Sequence, residues 1–273
     1  AAVPVSGCTR CEAQPRCEHA DWTQGKARTS VSVPSLAEGA VLRAAQVGQD
    51  ASLDELVPGH RLLIIAPHPD DETLGCGMAL AAACAKGREV AILLLTDGEG
   101  SHPNSREFDR ESRVALRQAE FEAALSFLVP ERSVPVVRAR LPDGRSKARD
   151  AAQIIDRLLG DPCIARADAI WSTWAHDPHC DHRTAAILAR MLADRTGANL
   201  WSFPVWGRFG ERPVPENLRV FSDGLHRDAK RLAMQAYASQ MTNLIEDDPD
   251  GFVMPSALFD HFATHPEIFF HER

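Results

Sequence analysis

Two short stretches of this 273-residue chain concentrate side chains that can hold a cation and move protons. The first is Pro67-His68-Pro69-Asp70-Asp71-Glu72. His68 and Asp71 stand three apart across a turn that contains proline, a spacing that can bring an imidazole and a carboxylate onto one cation. Asp70, between them, would then be free to face the cation's water. The same carboxylates could instead cap a helix, because acidic groups favour a helix N-terminus and an Ala-rich run follows. The second stretch, Trp174 to His182, holds three histidines and two aspartates within its last seven residues: His176, Asp177, His179, Asp181 and His182. A polar loop with Asp181 as a helix N-cap is the structural alternative. Histidine is the commonest metal ligand, and its concentration beside another His/Asp cluster favours a cation. Together the stretches can supply three ligands and leave positions open, the pattern of a catalytic zinc rather than of a closed structural site. Iron(II) suits the same donors.

Both stretches must be carried by elements that end where they begin. Residues 61–67 are a continuous apolar run, typical of a strand buried on both faces, and 168–173 form another directly before Trp174. Further strands are predicted over 89–96, 134–141 and 199–206, and helices over 73–86, 108–128, 147–159, 183–194 and 226–240. A short helical stretch spans 32–46, and Pro142-Asp143-Gly144 reads as a turn. This alternation predicts one α/β domain with a Rossmann-like, mostly parallel sheet and helices on both faces. Ligands of such sheets bind beyond the carboxyl ends of the strands, where both clusters fall. Residues 1–60 read as an N-terminal extension packing on the core, and 61–273 as the functional domain. The tail from 247 to 273, rich in Phe, Pro and His, shows no assignable pattern.

His68-Pro69-Asp70-Asp71-Glu72 after an apolar strand, with His179-x-Asp181-His182 downstream, resembles the PIG-L/LmbE family of zinc-dependent N-acetyl-sugar deacetylases. Weaker matches follow in the family's order: Leu95-Thr96-Asp97-Gly98-Glu99, Arg117-x-x-Glu120, Leu141-Pro142-Asp143-Gly144 and Tyr237-x-Ser239-Gln240. The likeness covers roughly 61–241. It implies His68, Asp71 and His182 as metal ligands and Asp70 as general base. It implies His179 as general acid or oxyanion partner, and Asp181 as a carboxylate that orients a histidine. Some family members carry tyrosine where this chain has Asp177. The implied function is removal of an N-acetyl group from an N-acetylglucosamine-type sugar or glycoconjugate by metal-activated water. Asp143 and Arg117 could bind substrate hydroxyls or the acyl group, or be an ordinary turn aspartate and helix-surface arginine.

Composition narrows the partners. Thirty basic against 38 acidic residues give a net charge of −8, without the basic stripe of a nucleic-acid binder. No apolar run is long enough to span a membrane. Seven cysteines lack a secreted-domain framework, which points to a reducing cytoplasm. Cys8, Cys11, Cys17 and His19 could hold a structural zinc, though their spacing is irregular. Gly75-Cys76-Gly77 suggests close helix–sheet packing more than a dinucleotide loop. Competing readings are another amide or ester hydrolase on the same metal, a Cys180/His179 thiol hydrolase, and a non-catalytic nucleotide-binding module.

Overall fold

A computed structural model describes residues 39–272. The Cys8/Cys11/Cys17/His19 group and the start of the 32–46 helix lie outside the described residues. In chain order the elements are α1 (Ala40–Ala45), β1 (Gln49–Asp50), α2 (Leu53–Leu56), β2 (Arg61–Ala66), α3 (Asp71–Ala85), β3 (Glu89–Leu94), α4 (Arg110–Leu128), β4 (Val136–Arg138), α5 (Ala148–Leu159) and α6 (Pro162–Ala165). They continue with β5 (Ala169–Thr173), α7 (Cys180–Thr196), β6 (Asn199–Phe203), β7 (Leu218–Phe221), α8 (Arg227–Ala236), α9 (Ala238–Met241), α10 (Ser256–Thr264) and β8 (Glu267–Glu272).

The strands form one sheet in the order β1-β7-β8-β6-β5-β2-β3-β4. All neighbours are parallel except β8, which runs antiparallel between β6 and β7. The apolar runs are continuous because each strand has a layer on both faces. On β2, Leu62, Ile64 and Ala66 join the core beneath α3, α4, α8 and α10, whereas Leu63 and Ile65 join the core beneath α5, α6 and α7. Within β4-β3-β2-β5-β6 the chain runs outward from β2 to β4 and then returns to place β5 on the other side of β2. That reversal opens a crevice at the carboxyl ends of β2 and β5, where ligands of doubly wound sheets bind. The two histidine clusters leave these two strands.

Three regions differ from the sequence expectation. The helix expected over 226–240 breaks at Tyr237 into α8 and α9. The tail supplies α10 and β8, whose Ile268, Phe269 and Phe270 are buried between the sheet layers. Before 61, β1 pairs with β7, and Leu53, Leu56 and Val57 enter the main core.

Helix α3 is kinked at Cys76, and a buried ion pair repairs the break. The Glu267 carboxylate accepts from the Met78 and Ala79 amides at 2.7 and 2.9 Å, and Lys230 Nζ donates to the Leu74 carbonyl at 2.9 Å and to Glu267 at 2.7 Å. Gly75 is a packing glycine: a Cβ there would lie 2.2 Å from the Phe203 ring.

Candidate active site

The loop after β2 turns into α3 through Asp70, whose φ of 138° lies in a region that favours glycine. Such a residue costs about 1–3 kcal/mol and persists only where its surroundings hold it. Asp70 occupies the N-cap position but makes no capping bond with its side chain. The carboxylates here serve other partners. Asp71 Oδ2 accepts from the His68 amide at 3.0 Å, lies 3.0 Å from His68 Nδ1 and stands 3.3 Å from His182 Nε2. The three side chains expected to be ligands thus meet around one carboxylate oxygen.

Helix α7 starts at Cys180, earlier than the sequence suggests, with His179 as its N-cap: His179 Nδ1 accepts from the Asp181 amide at 3.3 Å. Asp181 is therefore not the cap. Its Oδ1 accepts from the Ser146 amide and hydroxyl at 3.0 and 2.6 Å, and its Oδ2 accepts from the Gly144 amide at 2.6 Å. Asp181 Oδ2 and Asp143 Oδ1 each stand 3.1 Å from His68 Nε2. The 142–144 turn and α7 thereby grip the same imidazole, and a carboxylate behind a histidine fixes its ring orientation.

His182 is fully buried, and its Nδ1 faces Asp177 Oδ1 at 3.3 Å. Asp177 Oδ2 accepts three backbone N–H bonds, from Val205, Trp206 and Gly207, at 3.1, 2.9 and 3.0 Å. In the sequence Asp177 is one of the aspartates of the second cluster and a departure from the family's tyrosine, and nothing there points to this role. Its anchors lie 28–30 residues downstream in a loop without a motif.

The side chains expected to reach substrate are committed inward instead. Arg117 is only 2% exposed; its Nη2 donates to Asp70 Oδ2 at 3.0 Å and to the Pro69 carbonyl, and its Nη1 reaches Glu120 Oε2 at 3.5 Å. Asp143 faces His68 and accepts from the Gly100 amide at 2.7 Å.

Burial pushes the Asp70 carboxyl up to about 7 against the pull of Arg117. Burial also opposes charge on Asp71, but His182 and His68 outweigh it and hold this carboxyl well below its ordinary range. Burial and the neighbouring His68 and His182 push His179 down to about 3.

A divalent cation fits this pocket. Asp70, Asp71, Asp143, Asp177 and Asp181 are gathered while Arg117 is the one guanidinium paired with any of them among the described residues. Each ring nitrogen of buried His182 faces a carboxylate oxygen at 3.3 Å without a well-aligned hydrogen bond. A cation beside Asp71 Oδ2 would satisfy His182 Nε2 and offset the crowded negative charge. His68, His179 and His182 also present ligand atoms within 4.8 Å of one another, an alternative donor set. It lacks a carboxylate; His68, Asp143 and Asp181, and His179, Cys180 and Asp181, form further groups within the same distance.

Fold and site together define a doubly wound α/β protein with a His/Asp cluster, able to hold a cation, at its switch point. Residues 63–193 match the PIG-L family, described as GlcNAc-PI de-N-acetylase. Curated relatives include two proteins named 1D-myo-inositol 2-acetamido-2-deoxy-alpha-D-glucopyranoside deacetylase. One, from Tsukamurella paurometabola, is 34% identical over 117 residues (40% of this chain, 39% of that protein). The other, from Geodermatophilus obscurus, is 31% identical over 123 residues (45% and 36%). The chain therefore spans little more than a third of the length of these relatives. Among solved structures, A40926 pseudoaglycone deacetylase shares the fold at 22% identity and a TM-score of 0.56, covering 78% of this chain and 96% of that one. The conserved protein TT1542 from Thermus thermophilus is similar at 25% identity and a TM-score of 0.51, with coverage of 66% and 80%. No helix among the described residues is long and apolar enough to cross a membrane.

Proposed function

We propose that this chain is a metal-dependent hydrolase that removes the N-acetyl group from an N-acetylglucosamine-type sugar or glycoconjugate. The observation that carries the reading is the meeting of His68, Asp71 and His182 around Asp71 Oδ2, with a strained Asp70 beside them. His68, Asp71 and His182 would hold zinc, with iron(II) as the alternative. The ion would supply a water acidified toward neutrality and would polarise the amide carbonyl.

Asp70 takes a proton from the attacking water. A carboxyl raised to about 7 suits a base that must accept and then release a proton near neutral pH. His179 donates a hydrogen bond to the carbonyl oxygen as it gains charge, or a proton to the departing amine. The C–N bond then breaks, and the amine leaves with the proton that Asp70 collected. Acetate and the free amino sugar are the products. Asp177 and Asp181 orient His182 and His68. Each positioned base or hydrogen-bond donor contributes about 10²- to 10⁴-fold.

Acetate release from a panel of N-acetylglucosamine conjugates, including the inositol conjugate named for the relatives, tests the reading. The expected result is turnover lost on chelation and restored by zinc or iron(II), insensitive to thiol alkylation. His182→Ala should lose bound metal and activity together. Chelator-resistant turnover, or a fully metallated His182→Ala protein, would refute the assignment.

A further inference from the structure

Arg117-x-x-Glu120 on α4 and Tyr237-x-Ser239 at the break between α8 and α9 remain without a task in the scheme above. In the structure they converge on Asp70 by two buried routes. On one side, Glu120 Oε1 accepts from the Ser239 amide at 2.6 Å, and Oε2 accepts from the Ser239 hydroxyl at 2.7 Å. Arg117 lies between Glu120 and Asp70, bonded to both and to the carbonyl of Pro69. On the other side, the Tyr237 hydroxyl donates to Glu72 Oε1 at 2.6 Å, and Glu72 Oε2 accepts from the Asp70 amide at 3.1 Å. One route reaches the Asp70 side chain and the other its backbone.

Glu72, Arg117, Glu120, Tyr237 and Ser239 are all buried. Buried charges of this kind are costly unless each is fully bonded. An Arg117–Glu120 pair three residues apart on one helix needs no third partner to be neutral. Here it is joined to Asp70 at one end and to Ser239 at the other. The helix of 227–241 is interrupted at the residue that sends its hydroxyl to Glu72. A non-glycine residue at a φ of 138° stays there only if its surroundings fix it, and these two routes supply that restraint.

We propose that the 237–239 segment, acting through Glu72 and through Glu120–Arg117, locks the backbone and carboxylate of Asp70 into the position from which it serves the cation pocket. Arg117, Glu120, Tyr237 and Ser239 are then positioning residues. The inference rests on the proposed role of Asp70 as base.

The test uses Tyr237→Phe, Ser239→Ala and Arg117→Ala in the full chain, with Asp70→Asn as reference. On a conjugate that the wild type deacetylates, each positioning variant should lose about 10- to 100-fold in kcat, because misplacing a reacting group by about 1 Å costs that much. KM and metal content should stay near the wild-type values. Added methylguanidine should restore part of the kcat of Arg117→Ala but not of Asp70→Asn. Crystal structures of Tyr237→Phe and Arg117→Ala should show Asp70 released from its positive φ, a readout that needs no substrate. An Asp70 that keeps its geometry in both variants overturns the inference, as does a loss in KM alone or a lower melting temperature with kcat unchanged. Undiminished turnover in Asp70→Asn would instead overturn the base assignment on which it rests.

Discussion

Asp177→Asn is the most informative single change at the candidate cation site. Asp177 Oδ2 takes three backbone N–H bonds from Val205, Trp206 and Gly207, and its Oδ1 faces His182 Nδ1 at 3.3 Å. In the asparagine variant the amide oxygen must stay with the three backbone donors, since an NH2 group there would face only other donors. The NH2 group is then turned to His182 Nδ1. That nitrogen becomes the acceptor, and the ring proton moves to Nε2, the atom that stands 3.3 Å from Asp71 Oδ2 and that would hold the cation. A protonated ring nitrogen has no lone pair for a metal. Loss of an orienting carboxylate typically costs about 10- to 100-fold in metal affinity. That corresponds to about 1.4–2.8 kcal/mol. The three backbone bonds survive, so the metal-free fold should melt near the wild-type temperature. Asp177→Ala, in contrast, would orphan the three amides at about 1–3 kcal/mol each. Zinc affinity by chelator competition, paired with thermal melting of the metal-free proteins, separates these effects. Wild-type zinc affinity in Asp177→Asn would refute the claim that Asp177 sets the His182 tautomer.

Three further outcomes follow from the same geometry. Asp70→Asn should keep its metal and lose about 10²- to 10⁴-fold in kcat, read by acetate release at saturating substrate; near-normal turnover would remove Asp70 from its role. Glu267→Ala should destabilise the fold by about 3–5 kcal/mol in chemical denaturation, because it leaves buried Lys230 unpaired and the kink of α3 uncapped; Glu267→Ala together with Lys230→Met should recover part of the loss. Burial and then Arg208 push His261 down to about 2, from 6.5 in the unfolded chain. The fold thus favours its neutral form, and that stability is present above about pH 6.5 and lost as pH falls toward 2. His261→Gln should flatten the decline in stability between pH 7 and pH 5, measured as denaturation midpoints, and an unchanged slope would show that His261 protonates freely in the fold.

Much of this was legible in the sequence, for identifiable reasons. Strands β2, β3, β5 and β6 announce themselves because burial on both faces demands unbroken apolar runs, and the clusters that follow β2 and β5 fall at the switch point that the topology creates. The edge of the sheet was not legible. Strand β1 has two residues, and β8 returns from the tail to pair antiparallel where a parallel pattern was expected. The site shows the same division. His68, Asp71 and His182 stand in dense local motifs, and the structure brings them together. Asp177 is bound by amides of a loop that no local pattern connects to it. Arg117 stands out through Arg117-x-x-Glu120, but the sequence offered it as a substrate ligand or a surface residue, and only the packing of α4 against α3, α8 and α9 turns it toward Asp70. The break at Tyr237 was hidden because the partner of its hydroxyl, the Glu72 carboxylate, is 165 residues away in the chain.

The central claim is a single cation in the crevice between β2 and β5. Anomalous diffraction from crystals grown with zinc tests it most directly. A peak is expected about 2.0–2.2 Å from one nitrogen of His68, one oxygen of Asp71 and Nε2 of His182. A peak elsewhere, or none at this position at full occupancy of zinc in solution, would contradict it.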